Sequence, residues 1–208
     1  YNTSFDVIVI NDGSKDNTEM ILNQNNIPHI TLIHNLGIGG AVQTGYKYAY
    51  QNGYDIAIQF DGDGQHDINY ACKIIKPLIK GEANMSIGSR FVDSTSSEFK
   101  STKARQMGIK LISSFIKFFT GKKVYDVTSG FRAIDKSLID RFSKDYPLEY
   151  PEPISTTEIL KDNFVVSEVP VSMNERTGGV SSIRSWKNVY YMLNVLLSIV
   201  IIGIRRNK

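Results

Sequence analysis

Asp55-Ile-Ala-Ile-Gln-Phe-Asp61-Gly-Asp63-Gly-Gln65-His66-Asp67 is the stretch on which the fold turns. Its apolar run, Ile56 to Phe60, predicts a buried strand. The strand ends in two carboxylates one residue apart, with a glycine between them and another after. In an open α/β sheet, ligands sit beyond the carboxyl ends of the strands. Asp61 and Asp63 are therefore expected at the rim of a sheet, where a ligand binds. Two close carboxylates repel, and a divalent cation relieves the repulsion. Mg2+ and Mn2+ take oxygen ligands, and Mg2+ commonly takes one or two carboxylates together with substrate phosphates. Gln65 adds a neutral oxygen, and the glycines let the backbone turn and a bulky ligand approach. A plain turn is the competing reading, since Asp and Gly after a strand often form nothing more. A calcium loop of the EF-hand type fails, because its sixth and twelfth positions counted from Asp61 hold His66 and Cys72 rather than Gly and Glu. Zinc fails as well, since His66 has no second histidine or cysteine at ligand spacing.

The rest of the chain fits one α/β domain. Its 208 residues are 41% hydrophobic, enough for a full core. A net charge of +3 with a pI near 8.8 suits anionic ligands without demanding nucleic acid. The single cysteine, Cys72, forbids an internal disulfide and points to a reducing compartment. No signal peptide is visible, and the chain begins a few residues before a strand, so an upstream segment is expected to be missing.

Phe5 to Ile10 reads as the first strand. It runs into Asn11-Asp12-Gly13-Ser14-Lys15-Asp16, a turn in which Ser14 or Asp16 caps a helix. Asp12, at a strand's carboxyl end, is placed to accept a hydrogen bond from a base or ribose. Ile30 to His34 is the second strand. Asn35-Leu-Gly37-Ile-Gly39-Gly40 opens a helix that runs through Tyr50. The dinucleotide fingerprint is incomplete because Val42 stands where a glycine is needed, and no Walker A loop is present. The glycines still offer backbone N–H groups for an anion at a helix start, against the alternative of close packing. Ile68 to Ile79 is a helix. Ala83 to Gly88 is a fourth strand that delivers Arg90 to the rim, where a guanidinium suits phosphate. Lys100 to Thr120 is a basic amphipathic helix. Asp126-Val-Thr-Ser-Gly130-Phe-Arg132 is a loop of carboxylate, hydroxyls, glycine and arginine. Glu149, Glu152 and Glu158 stand among prolines before another helix, and Phe164 to Val171 is a further strand. Arg176 lies in a glycine-bearing loop able to close over a charged ligand. Residues 185–208 form an apolar helix with a basic tail, after a first unit spanning 1–184. Val189 to Ile204 falls short of the ~20 residues that cross a bilayer.

Five motifs in order, Val9 to Ser14, Asn35 to Gly45, Phe60 to His66, Gly88-Ser89-Arg90 and Asp126 to Arg132, resemble those of the family 2 glycosyltransferases of GT-A fold, in particular the dolichol-phosphate mannosyltransferase-like branch. The resemblance implies a Rossmann-like single domain with a mostly parallel sheet flanked by helices. It implies a UDP- or GDP-sugar donor, a Mg2+ or Mn2+ cofactor and inversion at the anomeric carbon. Asp12, with Gly13, Asn35, Gly37 and Gly39, would then contact the nucleotide. Asp61, Asp63 and Gln65 would gather around the metal and diphosphate. Arg90, Arg105 and Arg132 would face phosphates, and Arg176 would belong to the lid. Family members begin with one more strand and a base-holding loop, and both are missing here.

The chemistry fits the residues on its own terms. Leaving of a nucleoside diphosphate builds negative charge that a metal and fixed cations stabilise, and Asp63 is the catalytic carboxylate at that metal. A sugar-hydroxyl acceptor needs a carboxylate base, with Asp126 the candidate ahead of Glu149 and Glu152. A lipid-phosphate acceptor is already ionised and needs none. A nucleotidyltransferase and a non-catalytic sugar-nucleotide module are the rival readings. The Lys100–Lys123 stretch and the apolar C-terminal helix together predict one apolar surface rimmed with positive charge, hence peripheral contact with the inner face of a membrane. Core helices, or helices pairing in a homodimer, are the alternative.

Overall fold

The structure is a computed structural model that describes residues 5–92, 103–173 and 186–205, without the side chains of 103–105 and 186–189. Four strands make the central sheet: β3 (Ile56–Gln59), β4 (Met85–Ser89), β5 (Arg132–Asp135) and β6 (Val166–Pro170), in the order β3-β5-β4-β6. β3, β4 and β6 share one direction and β5 runs against its neighbours. β1 (Val9–Asn11) and β2 (His29–Thr31) form a separate parallel pair. The helices are α1 (Thr18–Gln24), α2 (Gly37–Gln51), α3 (Ala71–Ile79), α4 (Lys103–Thr120), α5 (Lys136–Lys144), α6 (Pro151–Lys161) and α7 (Trp186–Ile204).

The alternation of side chains along the strands builds two cores. Met85, Ile87 and Ile134 face the larger one, which holds Tyr46 of α2, Ile112 and Ile116 of α4, Phe142 of α5 and Ile159 of α6. Ala133 faces the smaller one, with Phe131, Val171 and the apolar face of α3, Ile74, Ile75 and Leu78. The C-terminal helix belongs to the larger core, because Val195 and Ile199 of α7 are fully buried there. Among the described residues no helix is long and apolar enough to cross a membrane.

The expected mostly parallel α/β sheet is present, with two differences. The Asp126–Ala133 loop passes into a strand, and that strand is the reversed one at the centre of the sheet. A helix, α5, follows at once, started by Asp135, whose carboxylate accepts the Leu138 N–H at 3.0 Å. At α1 it is Asp16 that accepts the Thr18 N–H, at 3.0 Å.

Gly39 has a packing role. A Cβ there would overlap the backbone carbonyl oxygens of Pro147 and Leu148. Both are backbone atoms of the segment that leads into α6, so they cannot give way as a flexible side chain would. Gly39→Ala is expected to lower stability by about 1–3 kcal/mol, measured as a lower denaturant midpoint at unchanged slope.

Candidate functional site

The site is built outward from the end of β3. Beyond Phe60 the chain turns through Asp61, Gly62, Asp63 and Gly64, and Gly64 takes a φ of 76° that favours glycine. The turn is held from inside, as Asp63 Oδ1 accepts the Gln65 N–H at 3.0 Å. Gln65 is half-buried in the same turn. Asp61 is fixed from two sides. His66 Nε2 stands 3.4 Å from its Oδ2, and the imidazole is wedged beside the rings of Phe60 and Phe131 at 5.7 and 5.2 Å. On the other side lies Gly130, where a Cβ would overlap the Asp61 carboxylate. The carboxylate therefore rests directly on the Gly130 backbone, with 45% of its side chain still open to solvent.

The donor set fits a small hard cation shared with a ligand. Among the described residues no three His, Cys, Asp or Glu side chains gather as a self-sufficient cage. Two carboxylates at a rim, with the Gln65 oxygen in the same turn, are instead the pattern of a Mg2+ or Mn2+ site completed by substrate phosphates.

The loop that carries Gly130 is clamped by two arginines. Arg90 donates to Asp126 through its backbone N–H at 3.0 Å and through Nε and an Nη at 2.7 Å each. The same Nη2 also donates to Thr128 Oγ1 at 3.3 Å. Asp126 has no exposed surface and Arg90 only 6%. Glu168 of β6 accepts the Tyr125 and Asp126 N–H groups at 2.7 and 2.8 Å, and burial raises its carboxyl above the ordinary range. Arg132, fully buried, donates to the Ser129 carbonyl at 2.7 Å, the Val127 carbonyl at 3.0 Å, the Glu152 carbonyl at 2.9 Å and Thr156 Oγ1 at 2.8 Å.

These contacts correct the expected exposure of three residues. Arg90 and Arg132 do not face outward to a phosphate, because their guanidiniums are turned into the protein and satisfied there. Asp126 is not open to an acceptor hydroxyl, because Arg90 occupies both of its oxygens. Arg176 lies outside the described residues, as does the side chain of Arg105.

The other predicted cluster comes together but is partly self-satisfied. Asp12 Oδ1 accepts the Leu36 N–H at 2.7 Å, Asn35 Nδ2 donates to the Asp12 carbonyl at 2.9 Å, and Asn35 Oδ1 accepts the Gly37 N–H at 3.2 Å. Gly13, at a φ of 67°, packs on the same segment, where a Cβ would lie 3.1 Å from Asn35 N. The loops after β1 and β2 are thus one unit. At the start of α2, Asp12 and Asn35 already occupy the Leu36 and Gly37 donors, which removes those two N–H groups from the expected anion cradle, and Gly39 shows the close packing that was the alternative.

One carboxyl ranked behind Asp126 feels the charge of Asp61. Glu152, near the start of α6, is raised above the ordinary carboxylate range by burial, opposed by Arg132 and reinforced by Asp61, with the Gln59 amide beside it. Gln59 went unnoticed in sequence as a strand residue. It pairs with Arg132 across β3 and β5, and its two-residue spacing from Asp61 was the available signal.

A carboxylate pair at the end of the edge strand β3, in an α/β sheet with one reversed strand, is the arrangement expected of a glycosyltransferase of GT-A type. The profile of glycosyl transferase family 2 matches residues 1–142, and the chain belongs to that family. It is 36% identical over 185 residues to a UDP-N-acetylglucosamine–dolichyl-phosphate N-acetylglucosaminyltransferase of Methanococcus voltae, covering 79% of this chain and 73% of that protein. It is 25% identical over 188 residues to a polyprenol monophosphomannose synthase of Mycolicibacterium smegmatis, covering 84% and 69%. In fold it is similar to glucosyl-3-phosphoglycerate synthase from Mycobacterium tuberculosis, solved with Mn2+, UDP-glucose and phosphoglyceric acid. That likeness has a TM-score of 0.64 at 16% identity, over 97% of this chain and 69% of the other.

Proposed function

We propose that this glycosyltransferase moves a sugar, with inversion, from a nucleoside-diphosphate sugar to the phosphate of a polyprenyl phosphate at the inner face of a membrane. The observation that carries the reading is the Asp61–Asp63 pair at the end of β3, with Asp61 seated on Gly130. Asp61, Asp63 and Gln65 would hold Mg2+ or Mn2+ against the donor diphosphate, and the ion would supply Lewis-acid stabilisation of the leaving group. His66 orients Asp61 from behind. Asp12 and Asn35 hold the β1 and β2 loops as one wall for the nucleoside. Arg90, Asp126, Arg132 and Glu168 act as positioning residues, fixing the loop so that Gly130 stays under Asp61.

The burial of Asp126 favours the phosphate acceptor over a glycan hydroxyl. A hydroxyl needs a base at the reacting oxygen, and Asp126 is locked to Arg90. A phosphate acceptor attacks already ionised. The two membrane-lipid glycosyltransferases named above support the same class of acceptor.

The test is a transfer assay with UDP- and GDP-sugars, Mn2+ and a short-chain polyprenyl phosphate. The expected products are a lipid-linked monophosphate sugar and nucleoside diphosphate, formed only when the acceptor is present. Release of pyrophosphate would make the protein a nucleotidyltransferase. Turnover with a glycan acceptor and none with polyprenyl phosphate would require a base, and Glu152, whose carboxyl is raised by burial, is the candidate.

A further inference from the structure

We infer that the outer face of the α4–α7 helix pair is a docking surface for an anionic lipid bilayer. Two contacts show how the pair is built. Gly108 of α4 faces Met192 of α7, with its Cβ position 3.4 Å from the sulfur, and Gly203 of α7 faces Phe119 of α4. Each pair of positions advances by the same number of residues, so the helices run parallel and side by side.

Each helix buries one side and leaves the opposite side apolar and open. On α7, Val195 and Ile199 are fully buried, while Tyr190, Leu193, Leu197, Ile201 and Ile204 recur at helical spacing and are 56–71% exposed. Met107, Leu111 and Phe118 do the same on α4, at 72, 43 and 81%. A helix apolar on all sides is normally covered on all sides, and a contiguous exposed apolar patch of this kind marks an interaction surface. Between the two stripes, among the described residues, lie the half-buried apolar flanks Phe115 and Phe119 on α4 and Leu196 and Val200 on α7. The far side of the α4 stripe is lined by exposed Lys110 and Lys117.

Charge identifies the occupant. Residues 103–125 and 186–208 hold ten of the 24 basic residues and none of the 21 acidic ones. These two segments therefore carry +10, and the remainder of the chain carries −7. A neutral partner surface or a second copy of these basic segments would not call for that segregation; an anionic lipid surface does. At one end of the pair stand exposed Lys122, Lys123 and Arg205. At the other end the Tyr191 ring meets Tyr150, 4.8 Å between centroids, beside the start of α6 and Glu152. The surface thus begins at the catalytic side of the domain.

Docking is independent of the proposed acceptor, and it is tested without donor or acceptor. Flotation with phosphatidylglycerol-containing vesicles at low salt should carry the full chain to the lipid fraction. Phosphatidylcholine vesicles should bind at least about ten-fold less, and added salt should release the protein. Lys110→Glu with Lys117→Glu should weaken partitioning by about five-fold or more per site. Leu193→Glu with Leu197→Glu should abolish it while the melting temperature is kept, since both side chains are already exposed. Failure to float with anionic vesicles at low salt would overturn the inference, as would undiminished flotation of the leucine variant. A lipid-free dimer in sedimentation that the leucine variant dissociates would also overturn it, by assigning the face to a second copy.

Discussion

Asp126→Ala is expected to lower the unfolding free energy by about 3–5 kcal/mol, the usual cost of stranding one member of a buried ion pair. The magnitude follows from what remains. Arg90 would keep its charge at 6% exposure with three of its hydrogen bonds removed. Glu168 would still hold the 125–126 backbone, but the link from Arg90 to the Gly130 loop would fall to the Thr128 hydroxyl alone. A denaturant titration reads the loss directly. Transfer activity should fall with the folded fraction and, per folded molecule, through loosening of the loop beneath Asp61. A variant as stable as the parent, yet without turnover against a phosphate acceptor, would return Asp126 to chemistry.

Gly130→Ala should separate catalysis from stability. Its Cβ would claim the space of the Asp61 carboxylate, and a carboxylate at a solvent-facing rim can swing away at little cost to folding. The melting temperature is therefore expected to hold. Metal-dependent turnover should drop by about 100-fold, since displacement of a positioning group by about 1 Å has that effect. Raising the Mn2+ concentration should restore part of the activity, because the ligand is misplaced rather than absent. Full activity in the alanine variant would mean that Asp61 does not need this seat.

The carboxylate pair was legible because everything that defines it is local: an apolar run of strand length, its end, and Asp-Gly-Asp within three residues. The same holds for α4 and α7, whose helical spacing is long and regular. β5 was hidden by its brevity. Arg132-Ala-Ile-Asp135 has a charge at each end, and its burial comes from neighbours 45 to 79 residues away in β4 and β3. The fate of the arginines was hidden for a related reason. A guanidinium at a strand end reads as a phosphate ligand until its partner is known, and Asp126 lies 36 residues from Arg90. The start of α2 shows the same limit. Glycines advertise free N–H groups at a helix start, and only the fold brings Asp12 across to occupy the neighbouring Leu36 N–H. Glu152 went underrated because its interaction with Asp61 depends on Arg132 drawing the first turn of α6 onto β5.

The central claim is that Asp61 and Asp63 hold a divalent cation against a nucleoside diphosphate. Calorimetric titration of UDP and GDP into the protein, with and without Mn2+, tests it most directly when repeated with Asp63→Ala. The parent should bind one of the two nucleotides only when Mn2+ is present. The variant should lose at least about 100-fold in that affinity at an unchanged melting temperature, as expected when one of two protein carboxylates leaves a site completed by substrate phosphates. Equal Mn2+-dependent affinity in a folded Asp63→Ala protein would contradict the account.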